Sequence, residues 1–172
     1  MAGRSSRSGG TSNDRIQALV EQKLGEGQQY EALQLYRGAV SRKSARGNDD
    51  AALAVAEQGI GVLLARGYAD SATELGSVLV GILSDHELPV TGERLGLIKR
   101  LHSKYEDAKR AAVLAEEDRL AAAQGQGGGD GGEMMVGGKE ARRGMHSIGV
   151  LEGRFLKLAV AWTAARGQRL SG

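Results

Sequence analysis

The chain has 172 residues, of which 41% are hydrophobic, 3% aromatic and 26% charged, with 27 glycines, one proline and no cysteine. That length suits one ordinary domain, and the missing cysteine excludes a disulfide framework, a thiol nucleophile and any cysteine-ligated zinc or iron–sulfur site. The net charge of +2 is matched by Arg4 and Arg7 in an acid-free N-terminal stretch, so the rest of the chain balances to zero and lacks the basic footprint of a nucleic-acid binder.

Residues 1–13 are rich in Ser, Gly and Arg and read as a disordered tail. From Asp14, a candidate N-cap, Ile16, Leu19, Val20 and Leu24 recur at helical spacing, and the helix is expected to stop at Gly25 or Gly27. A repeat with a period of 20 residues then sets in: Gly27, Gly47 and Gly67 are each followed five residues later by Ala32, Ala52 and Ala72. Twenty residues make one helix and a short turn. Each glycine stands where a helix C-terminus needs a left-handed backbone, and the small residue at +5 lets neighbouring helices approach. Asn48 or Asp49 is expected to cap one helix start and Asp70 or Ser71 the next.

The helix after Gly67 runs to about Asp85 with a broad apolar face, and Pro89 marks a loop. Thr91 opens a shorter helix through Leu95, Ile98, Leu101 and Tyr105. Residues 107–146 read as an insertion, helical at first and then glycine-rich and flexible, because GQGGGDGGEMMVGG buries too little apolar area to offset its ordering entropy. Order is expected to return at Ser147 in a last helix, within 147–168, that carries Ile148, Leu151, Phe155, Leu158, Ala159 and Trp162. The expected fold is all-α, a tetratricopeptide-like α-solenoid of antiparallel helix pairs over 14–106 with the last helix joined to it.

Catalytic and cofactor chemistry finds little support. The nearest phosphate-loop match, Glu133 to Glu140, has Glu133 where glycine is needed and Glu140 where Ser or Thr is needed. His86, His102 and His146 have no partner histidine one turn away and read as solvated, without metal. Asp49-Asp50 sits at a helix start, where the dipole favours anions, and no Ser/His/Asp set can be argued from spacing. The expectation is a non-enzyme with no cofactor and no metal. No apolar run reaches transmembrane length and the N-terminus has no apolar signal core, so a cytosolic location without membrane insertion is expected.

One helix stands out. Between Gln28 and Arg46 it carries Arg37, Arg42, Lys43 and Arg46 against one acid, Glu31, together with Tyr30 and Tyr36. Cations in the last turns suit the helix dipole, and a tyrosine with a hydrogen-bonded tip suits a core. Tyr and Arg together also suit the centre of a protein interface. Tyr30, Gln34, Tyr36, Arg37, Arg42 and Arg46 are therefore the candidate partner-binding residues.

At this helix the sequence Glu26-Gly-Gln-Gln-Tyr30-Glu-Ala-Leu-Gln34-Leu-Tyr36-Arg37 resembles the start of the fourth subunit of the GET (guided entry of tail-anchored proteins) machinery. Arg42 matches the arginine of that family's R-Y pair, with Lys43 for the tyrosine. Phe155-Leu-Lys-Leu-Ala159-Val-Ala-Trp162-Thr163 is similar to its F-x-x-x-A-x-x-W-S segment. The resemblance covers about residues 15–105 and 148–166; the family lacks the glycine-rich stretch and continues beyond this length. It implies an adaptor without catalytic activity whose N-terminal helices dock the targeting ATPase for tail-anchored membrane proteins. The family's ubiquitin-like-domain partner, held by a later half, is not expected on this chain. The alternative reading is a generic helical-repeat interaction module with an unrelated partner.

Overall fold

The computed structural model describes residues 12–124 and 137–167. The expected tail over 1–13 lies outside the described residues but for its last two, and so does the glycine-rich run 125–136. Six helices follow one another: α1 (Ser12–Gly25), α2 (Gln29–Ser44), α3 (Asp49–Ala65), α4 (Ala69–Asp85), α5 (Gly92–Gln124) and α6 (Gly137–Gly167). Among the described residues there is no strand, so the protein is all-helical.

The glycine period has a direct physical counterpart. Gly27, Gly47 and Gly67 have φ of +74°, +72° and +80°, a region that costs a residue with a Cβ about 1–2 kcal/mol. Around each, the same pair of hydrogen bonds closes the helix. Gly27 N–H donates to the Leu24 carbonyl at 3.1 Å and Gln28 N–H to that of Lys23 at 2.8 Å. The bonds recur from Gly47 and Asn48 to Ser44 and Lys43, and from Gly67 and Tyr68 to Leu64 and Leu63. This double bond with a left-handed residue is the Schellman closure of a helix C-terminus. It occurs a fourth time where no glycine marks it: Glu87, at φ 55°, and Leu88 donate to Ser84 and Leu83.

Because each helix stops at the same place, the next begins in the same register. Ala32, Ala52 and Ala72 each donate to the carbonyl four residues back, and all three are fully buried. Asn48 caps α3, its side chain accepting the Ala51 N–H at 3.3 Å. For α4 the expected Asp70 or Ser71 cap is not used; Tyr68 stands at the cap position without a side-chain bond. Thr91 does cap α5, accepting from Arg94 N–H at 3.2 Å. The helix expected to end near Tyr105 continues unbroken to Gln124, and Ser147 falls inside α6 instead of starting it. Continuity follows from composition, since 107–124 is dominated by Ala, Glu, Leu, Lys and Arg, which favour helix even with a thin apolar face.

Consecutive helices pack against each other from α1 to α4, and α5 packs on α6. Second neighbours also meet, α2 with α4, α3 with α5 and α4 with α6. The core is a continuous apolar cluster that includes Leu33, Tyr36, Ile60, Leu79, Leu101, Tyr105, Phe155 and Trp162. Two helical glycines admit its aromatic rings. A Cβ on Gly59 would lie 2.7 Å from Leu75 Cδ2 and 2.8 Å from Tyr36 Cγ, and one on Gly76 would lie 3.1 Å from Phe155 Cδ2. The Phe155 ring in turn stacks on Tyr105, with centroids 5.8 Å apart.

Two substitutions separate backbone strain from packing. Gly47→Ala places a Cβ in open space at positive φ and is expected to lower stability by about 1 kcal/mol. Gly59→Ala collides with Tyr36 and Leu75 and is expected to cost about 1–3 kcal/mol. Urea denaturation of both proteins measures the difference.

Candidate functional site

The structure separates the six candidate residues on α2 into three groups. Tyr30 is 67% exposed, and Gln34, one turn on, is exposed beside it. Arg37 continues that line, since residues three and four apart share a helix face. It is not free: its guanidinium pairs with Glu74 of α4 and ties the two helices together. Arg42 and Arg46 are exposed about a third of a turn away and form no ion pair among the described residues. Gly38 helps to place them, because Arg42 Nη1 lies where a Cβ on Gly38 would come within 3.1 Å.

Tyr36 is corrected. It is 1% exposed, on the side of α2 opposite the exposed line, with its ring against Gly59. Its hydroxyl donates to Gln17 Oε1 at 3.1 Å, and burial pushes its pKa up to about 12. The sequence held the signal for this, because Tyr36 falls in helical register with Ala32, Leu33, Ala39 and Val40, all buried. Tyr36 positions α2 against α1 and α3 and takes no part in a surface.

What remains is a surface patch of Tyr30, Gln34, Arg42 and Arg46, with Arg37 at its edge. The patch flanks a groove of about 420 Å³ between α2 and α4, lined by Val40, Ser41, Ala45, Val78, Gly81 and His86 among others. A large amphipathic ring, an amide and two uncompensated guanidinium groups beside a small-residue groove can bind an acidic protein surface. Arg and Tyr are the side chains that interfaces use for that task.

The histidines correct a second expectation, since neither His86 nor His102 is simply solvated. His86, at the C-terminus of α4, places Nδ1 2.8 Å from Asp49 Oδ1, and its Nε2 lies 3.5 Å from Ser44 Oγ. The connectivity is that of a nucleophilic triad, yet the geometry serves another purpose. Ser44 Oγ donates to Asp49 at 3.0 Å, and Ser44 ends α2, where the carbonyl end of the dipole disfavours an oxyanion. The three residues tie the ends of α2 and α4 to the start of α3.

His102 lies within α5 and meets Glu152 of α6, Nδ1 to Oε1 at 2.5 Å. Together with Glu106 these groups hold three metal-ligand atoms within 4.8 Å of one another. Lys109 already supplies the cation there, its ammonium pairing with Glu106 and lying 2.6 Å from Glu152 Oε2. Spacing along the chain could not reveal either pairing, as the partners stand 37 and 50 residues apart.

Comparison with protein-family models and with the curated proteins gives no match for this chain. Among the described residues no helix is long and apolar enough to cross a membrane.

The Asp49 tie makes a pH prediction. The bond from His86, with a further one from Ser44, holds the Asp49 carboxyl below its ordinary range. A lowered folded pKa contributes stability above the unfolded value, near 3.9, that is lost as pH falls through the folded value. Asp49→Asn is therefore expected to lower stability at neutral pH and to flatten its decline in acid, as measured by urea denaturation at a series of pH values.

Proposed function

We propose that the chain is a non-enzymatic adaptor in the post-translational targeting of tail-anchored membrane proteins, with α2 docking the targeting ATPase. The architecture belonging to this reading is a tetratricopeptide-like α-solenoid. Its support is the alternation of first- and second-neighbour helix contacts and the repeated turn at 27, 47, 67 and 87. The observation that carries the partner reading is the state of the resembling segment once folded. Of the residues that link it to the GET subunit, Tyr36 is buried, whereas Tyr30, Gln34 and Arg42 are exposed on one helix. Exposed tyrosine and unpaired arginine add nothing to a core and suit a docking patch. Their charge calls for an acidic surface on the ATPase, and the cytosol is the compartment that this role requires.

The test is binding of the purified targeting ATPase to the full chain. Arg42→Glu combined with Arg46→Glu is expected to weaken binding by about tenfold or more, with a smaller salt dependence. The thermal midpoint is expected to stay within about a degree or two of the parent, because surface changes away from packed groups rarely exceed ~0.5 kcal/mol. Equal affinity in parent and variant contradicts the assignment of the patch. No binding by the parent contradicts the choice of partner and returns the chain to the class of general interaction modules.

A further inference from the structure

We propose that the seam between α5 and α6 is an acid-sensitive latch, so that α6 leaves the helical array in acid while α1 to α4 stay folded. The place of Glu152 is the starting point. It is 5% exposed and is the one buried charged side chain among the described residues. Its two oxygens are each engaged from α5, Oε1 by His102 Nδ1 at 2.5 Å and Oε2 by Lys109 Nζ at 2.6 Å. Lys109 reaches Glu106 as well, so one ammonium stands between two carboxylates with an imidazole beside them.

These four groups and Tyr105 are the titratable side chains that face the seam. Tyr105 is buried, shares a hydrogen bond with Thr73 of α4 at 2.8 Å, and is pushed up to about 12 by burial, so it stays neutral throughout the acid range. From α4 the other contacts to α6 do not titrate in acid: Trp162 Nε1 donates to the Leu88 carbonyl at 3.3 Å and Arg166 to that of Ser84 at 3.0 Å. Arg166 also pairs with Glu87 at 3.5 Å, at the surface.

Acid changes the sign of the balance inside the seam. When Glu152 and Glu106 are ionised, Lys109 is compensated on both sides. Once both are protonated, Lys109 and a protonated His102 face each other across a dry contact with no anion. A buried charge without a partner is far more costly than an exposed one. The other ion pairs between helices, Arg66 with Glu21, Arg37 with Glu74 and Arg100 with Glu57, lie nearer the surface, where water takes over the role of the lost partner. The hydrogen bond and charge of Lys109 hold the Glu106 carboxyl below its ordinary range, and Glu106 and Glu152 together raise Lys109. Both directions agree with a cluster that acid takes apart.

The molecule carries its own reporter. Trp162 is the only tryptophan, sits on α6 and is 2% exposed. The experiment is an acid titration of the full chain from about pH 7 to about pH 3, read by tryptophan emission and by far-ultraviolet circular dichroism in parallel. The expected result is a red shift of Trp162 emission whose midpoint lies about half a pH unit or more above the loss of helix from the array. Lys109→Met supplies the second reading. Without the ammonium, Glu106 and Glu152 confront each other, so mild acid relieves the seam and the emission shift reverses, moving to the blue between about pH 7 and about pH 5. Coincident fluorescence and dichroism midpoints in the parent chain overturn the latch. So does a Lys109→Met protein that red-shifts in acid as the parent does.

Discussion

A left-handed residue at the same point of four successive turns is the constraint on which the array depends. Positions 27, 47, 67 and 87 each end a helix by the same two hydrogen bonds, and the next helix starts in the register that this ending leaves. Helix length, the burial of Ala32, Ala52 and Ala72, and the outward direction of the exposed line on α2 all follow from it. Glycine occupies three of the four positions, where a side chain would be strained. The fourth is Glu87, and the C-terminal part of α6 sits against that turn. Trp162 donates to Leu88, Arg166 donates to Ser84, and Arg166 pairs with Glu87. The strained turn is thus the one that another helix holds in place.

The same economy of side chains brings the aromatics into the core. Tyr36 occupies the space that Gly59 leaves open, and Phe155 the space at Gly76, so α2 approaches α3 and α6 approaches α4 closely. Their polar tips are satisfied, Tyr36 by Gln17, which also accepts from Gln58 at 3.1 Å. One amide of α1 therefore binds both α2 and α3. Charged side chains serve as further ties between helices and leave few cations uncommitted. Arg37, Arg66, Arg94 and Arg100 are all paired across helices. Against that background the exposed, unpaired Arg42 and Arg46 stand out, and they lie on the helix whose sequence carries the family resemblance.

Much of the fold was legible in the sequence because backbone chemistry wrote it locally. A glycine every twenty residues with alanine five places on identifies turn and close approach together, and the apolar spacing through Trp162 identifies the last helix. What was not legible depended on neighbours in space. Glu87 adopts the left-handed turn without the residue type that signals it. Residues 105–107 carry no stop signal, and the helix simply continues through them. Of the docking candidates, spacing alone separated Tyr36 from the others once its register with Leu33 and Val40 was weighed, whereas the capture of Arg37 by Glu74, 37 residues later, had no trace in the sequence.

The central claim is that the exposed line of α2 meets the targeting ATPase, and site-specific photo-crosslinking tests it most directly. A photoreactive amino acid placed at position 30 or 34 of the full chain, mixed with the purified ATPase and illuminated, is predicted to give a covalent adduct. The same group at position 58, exposed on α3 beside Gln17 of α1, is predicted to give none. Equal crosslinking from position 58, or an adduct from neither α2 position while the two proteins bind, would contradict the account.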